Sequence, residues 1–228
     1  MSEIDETGAG SAARIDETGA DNAALIDDQA YWSTPAMFAH YGWMQRLSPA
    51  VTSETLVTRL THSQRVGARF ATLIRERFDL VDSQVEDMSS DGRSFLLAPP
   101  EMLEERLLFL GAVARGPALR MAVSRLAIGA LVEVLGESRL RAAVRAGELG
   151  EDETPLDTTS AAAVRKQFAE SASSHFAAWL ARQPEQIRKR ALLGVAPKSD
   201  LAPKSPEKGD PDFVPMVAPL FKHFEGRP

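Results

Sequence analysis

EMLEERLLFLGAVARGPALRMAVSRLAIGALVEVLGESRLRAAVRA, residues 101–146, decides the fold class. Leu103, Leu107, Leu110 and Val113 recur every three or four residues, the spacing that stacks side chains on one face of an α-helix. Gly116-Pro117 then ends one helix and opens another, because proline in a first helical turn gives up an N–H that has no partner there anyway. Leu119, Val123, Leu126 and Leu131 carry the apolar stripe onward, and Gly136 interrupts it. The tract predicts three consecutive helices that pack as a helical core.

Outward from this core the same pattern recurs. In residues 31–47, YWSTPAMFAHYGWMQRL, Ser33 or Thr34 is placed to cap a helix starting at Pro35, with Met37, Phe38, Tyr41 and Met44 on one face. Its rings read as anchors of an N-terminal helix on the core. Residues 53–78 predict one long helix capped by Thr52 or Ser53, with Leu56, Val57, Leu60, Val66, Phe70, Leu73, Ile74 and Phe78 inside. Arg65, Arg69, Arg75 and Arg77 form a solvated basic face. Asp91-Gly92 followed by Ser94–Leu97 suggests a turn and one short strand before Pro99-Pro100. Thr159 or Ser160 caps a helix running to Arg182 in which Val164, Phe168, His175 and Trp179 share a face, His175 reading as a core or boundary histidine. Pro184 opens a last helix that ends at Gly194.

The chain is therefore expected to be mainly α, a single helical domain of about six to eight helices over residues 29–194. Residues 1–28 form an acidic leader, expected to be flexible, in which IDETGA occurs at 4–9 and again at 15–20. The repeat is either a short linear motif presented twice or a tandem duplication without one. Residues 195–212, VAPKSDLAPKSPEKGDPD, have the proline- and lysine-rich composition of a linker. Residues 213–228 form an apolar segment that folds back on its own domain or docks on a partner.

Composition narrows the function. The 228 residues contain no cysteine, which removes disulfides, thiolate metal sites and cysteine nucleophiles together. His40, His62, His175 and His223 are scattered, and no nucleotide-binding, zinc-protease or nucleophile-elbow motif occurs, so no catalytic, cofactor or metal residue is assigned and the chain is expected not to be an enzyme. The net charge of −6 resides in Met1–Ala30, where eight acids face Arg14 alone; the body is near neutral. That balance argues against a nucleic-acid binder. The most apolar run, 118–135, is broken by Arg120, Arg125 and Glu133, so no membrane insertion is expected. One alternative stays open: Gly136 with Arg139, Arg141 and Arg145 behind it has the outline of a helix-turn-helix DNA-binding regulator.

LLFLGAVARGPALRMAVSRLAIGALVEVLGESRLRAAV, residues 107–144, resembles the signature region of the SctK family, the YscK/PscK-type accessory proteins of bacterial type III secretion systems. The resemblance is carried by Leu110-Gly111, Gly116, Ala118-Leu119-Arg120, Leu131–Leu135 and Leu140–Val144, with the aromatic segment 32–43 and FAAWLA at 176–181 in the matching order. It implies a non-enzymatic cytoplasmic adaptor at the cytoplasmic face of the inner membrane. Such an adaptor links the cytoplasmic domain of the ring protein SctD to SctQ, and through SctQ to SctL and the ATPase SctN. For an adaptor, exposed aromatic anchors matter most, and Trp32, Trp43 and Phe221 are the expected partner-binding residues.

Overall fold

Two hydrophobic clusters organise the molecule, one large and central, the other small and N-terminal. The structure, a computed structural model, describes residues 31, 33–49, 53–61, 63–81, 92 and 95–221. Ten α-helices lie in this part: α1 Tyr41–Leu47, α2 Glu54–Thr61, α3 Gln64–Phe78, α4 Pro100–Ala114, α5 Gly116–Met121, α6 Arg125–Leu135, α7 Glu137–Ala146, α8 Ala161–Ala181, α9 Glu185–Gly194 and α10 Phe213–Phe221. The mainly α expectation holds, and none of the described residues is in a strand.

The centre of the large cluster is the crossing of α4 and α8. Every residue of α4 from Arg106 to Ala114 is buried, as a helix apolar on all sides must be. The two backbones meet at Gly111, where a Cβ would lie 1.9 Å from the Phe168 carbonyl oxygen. Only a residue without a side chain permits that approach. Around the crossing, Phe95 packs against Phe176, Trp179 and Phe221 at 5.8, 6.0 and 5.5 Å between ring centres, and Phe109 meets Phe221 at 5.6 Å. Buried Arg106 donates from Nη1 to the Phe95 carbonyl at 2.8 Å and sits over the Phe221 ring, tying two sequence-distant segments to α4.

The small cluster joins Met44 of α1, Val57 of α2 and Phe70, Ala71 and Ile74 of α3 to Leu193 at the end of α9. His40 caps α1, its Nδ1 accepting from the Gly42 N–H at 3.1 Å. Ser160 caps α8 through a bond from the Ala163 N–H at 3.1 Å, as its sequence position suggested.

Several expectations need correction. The single helix over 53–78 is two, because Ser63 takes an extended conformation between α2 and α3. The helix starting at Pro35 is a 3₁₀ turn, Pro35–Met37, followed by α1. The three-helix tract contains four, since Ser124 restarts the chain as the N-cap of α6, accepting from the Ala127 N–H at 3.1 Å. Phe95 and Leu96, expected in a strand, are helical and buried under α8. The expected linker 195–212 is a strap along α8: Val195 and Leu201 are buried, Ser173 Oγ donates to the Ala202 carbonyl at 2.6 Å, and the Asp210 N–H donates to His175 Nδ1 at 3.1 Å. Beyond it α10 buries Phe213, Val214, Val217, Ala218 and Phe221, so the apolar segment folds back and the domain runs past 194 to at least Phe221. The leader and its IDETGA repeat lie outside the described residues.

Candidate functional site

Of the three aromatic anchors expected at a docking surface, Trp32 lies outside the described residues. Trp43 is half-buried: its Nε1–H donates to the Val195 carbonyl at 2.8 Å, its ring meets Phe78 edge-on at 5.2 Å, and Arg46 covers it at 5.0 Å. Phe221 is 5% exposed and belongs to the aromatic centre of the large cluster. Both rings are engaged by the chain's own fold. Phe221 is therefore not at the surface, while Trp43 keeps part of its side chain exposed.

The surface instead offers apolar side chains from the tract expected to be entirely core. Met121 is 58% exposed, Val123 80%, Leu126 85% and Ile128 45%. The reason is local. Ala127, Leu131 and Leu135, spaced by four, are the residues α6 turns inward. At 100° per residue Leu126 lies about 140° around the helix from Leu131, so both cannot face the core. Sequence periodicity linked Val123 and Leu126 to the wrong stripe, because α6 is apolar on more than one side and the Ser124 cap resets its phase. Exposed Arg120 and Arg125 flank this crest, and Gly129 on the same helix leaves open space above its backbone. Methionine and arginine are among the residues enriched at protein interfaces, and apolar side chains clustered in water mark interaction sites.

A cleft of about 570 Å³ opens on another side, lined by Ala114, Arg115, Asp152, Gln167, His175 and Phe213 among others. Arg115, Asp152 and His175 in its lining act as structural ties. The Arg115 side chain, 9% exposed, donates from Nη1 to Asp152 at 2.7 Å and from Nη2 to the Thr154 carbonyl at 2.8 Å, fastening the acidic loop after α7 to the end of α4. Burial raises the Asp152 pKa, but bonds from Thr154 and Arg115 outweigh it and hold the carboxyl below its ordinary 3.8. Burial lowers the pKa of His175 below 6.5, against smaller opposing contributions from Asp210. Its Nδ1 already accepts from Asp210, and its ring lies 4.4 Å from that of Phe213. His175 is thus the boundary histidine the sequence suggested.

Two of the three arginines that outlined a recognition helix are engaged by neighbours, while Arg145 stays exposed. Arg139 on α7 pairs with Glu105 of α4, and Arg141 pairs with Glu137 at 3.0 Å. Gly136, at φ +74°, makes the turn between α6 and α7 in a conformation that favours glycine. Among the described residues no group of three or more histidines and acids is placed to hold a metal, and no helix is long and apolar enough to cross a membrane.

No family model, curated protein or solved structure matches this chain.

Proposed function

We propose that this protein is a non-enzymatic adaptor of a bacterial type III secretion system, joining the cytoplasmic domain of SctD to SctQ at the cytoplasmic face of the inner membrane. Through SctQ it reaches SctL and the ATPase SctN. The observation that carries this reading is the crest Met121–Val123–Leu126–Ile128, which stands in water although it lies inside the 107–144 tract on which the SctK resemblance rests. A helix used only for packing has no reason to keep Leu126 at 85% exposure beside Val123 at 80%. An adaptor has one: it must present a second apolar face while the first holds its own fold together.

The test is direct binding of the full chain to the purified SctD cytoplasmic domain and to SctQ of the same secretion system, by titration calorimetry. A dissociation constant at or below the order of 10 μM for either protein is the expected result. Absence of binding to both at several times that concentration overturns the proposal. A salt-dependent shift of duplex DNA that disappears in the Arg139→Ala, Arg141→Ala double variant would replace it with the helix-turn-helix reading.

A further inference from the structure

Helix α3 presents a second surface that the adaptor reading does not use. Arg65 and Arg69 stand one turn apart on its outer face, Arg77 lies further round, and all three are exposed. Among the described residues none of the three has an ion-pair or hydrogen-bond partner, unlike Arg139, Arg141, Arg165 and Arg182, which each find an acid. Arg59 on α2 is likewise exposed and has no partner among the described residues. Across α2 and α3 five arginines face Glu54 and Glu76 alone. A cationic face of this kind, on a body that is otherwise close to neutral, attracts acidic groups.

The chain carries such groups at the right place. Residues 1–30 hold eight acids and one arginine, and each IDETGA copy contributes an adjacent pair, Asp5-Glu6 and Asp16-Glu17. The described residues that follow this leader are held beside α3: Arg75 of that helix donates to the Ser33 carbonyl, and Arg190 of α9 donates to the Tyr31 carbonyl at 3.4 Å. Thirty residues span at most about 100 Å when extended, while the fifteen residues of α3 are about 22 Å long. The leader therefore reaches the whole arginine face from its anchor. Tethering makes the encounter intramolecular, with effective concentrations on the order of millimolar for a short flexible link.

We propose that the acidic leader, residues 1–28, is the occupant of the α3 arginine face, seated in cis through its IDETGA acid pairs. Two copies of the hexapeptide give the face two equivalent ligands on one tether. Exposed ion pairs are individually weak and screened by salt, so the contact is an exchanging one, and an acidic peptide of a partner can compete with it. This inference is independent of the adaptor reading and of the α6 crest.

Because the chain has no cysteine, Ser11→Cys creates a single labelling point between the two repeats of the full-length protein. A spin label there, read by amide nuclear magnetic resonance, should broaden α3 residues 65–77 several-fold more than α6 residues 125–135. Raising the salt from about 0.05 M to about 1 M should remove the difference, since the screening length falls to roughly 3 Å. Arg65→Glu with Arg69→Glu should remove it at low salt with the helical circular dichroism unchanged. Broadening that favours α6, that is even over the molecule, or that survives both the salt and the double substitution would overturn the proposal. If the double variant loses its helical signal, Arg65→Gln with Arg69→Gln replaces it, with the same two outcomes.

Discussion

Helices α4 and α6 come from one apolar tract and are both rich in leucine, yet they use that composition in opposite ways. In α4 nine consecutive residues from Arg106 to Ala114 are buried, and Gly111 lets α8 pass within contact of the backbone. In α6 only Ala127, Leu131 and Leu135 are buried, while Leu126 and Ile128 face water. Apolar residues on all sides of a helix state that every side needs cover. They do not state that the same chain provides it. The core of this molecule closes on α4 and leaves one side of α6 open, and that open side is where the proposed function resides.

The comparison can be broken first at α4. Phe109→Ala removes a ring that is 1% exposed and packed on Phe221, and is expected to cost ~3–5 kcal/mol in urea unfolding. A cost below about 1 kcal/mol would mean that α10 is not seated where the structure has it. Gly111→Ala places a methyl on the Phe168 carbonyl, and a loss of ~1–3 kcal/mol is expected because backbone must move. At the other helix, Ser124→Ala deletes the cap that sets the phase of α6 and should cost about 1 kcal/mol. Unchanged stability there would return the tract to one continuous helix through Ser124.

Acid provides a smaller and more local probe of the α8 side. The folded pKa of His175 lies below its ordinary 6.5, so the unfolded chain takes up this proton first. The stability tied to a neutral His175 is therefore full above about pH 6.5 and declines as pH falls below it towards the lower folded value. His175→Gln should flatten this part of the stability profile between pH 7 and pH 5. An equal slope in variant and parent would assign the acid sensitivity of this range to another group; the Asp152–Arg115 tie, its carboxyl held below 3.8, weakens only at lower pH.

Most of the helical content was legible because helix signals are local: the Ser160 cap, Pro184 at the entry to α9 and the leucine spacing of α4 each act within a few residues. What was not legible depended on contacts distant in sequence. Phe95 and Leu96 read as a strand because a short apolar run looks alike in both states, and it is α8 and Arg106 that settle it. Residues 195–212 had linker composition, and no local signal shows that Ser173 and His175 bind them. Ring chemistry alone marks Trp43 and Phe221 as anchors, and ring chemistry does not distinguish an interface from a core. The crest was within reach of the sequence: Ser124 followed by an apolar run is a cap signal, and restarting the phase there leaves Leu126 opposite Leu131.

The central claim is that α6 folds with one face and binds with another, and one pair of substitutions separates the two. Leu126→Asp and Leu131→Ala are measured side by side, each for urea stability and for affinity to the SctD cytoplasmic domain and SctQ. Leu126→Asp should leave stability within about 0.5 kcal/mol of the parent and weaken one partner by ~30-fold, about 2 kcal/mol, while Leu131→Ala should cost ~2–5 kcal/mol of stability. A Leu126→Asp protein that binds both partners as the parent does, or that unfolds as readily as Leu131→Ala, would contradict the account.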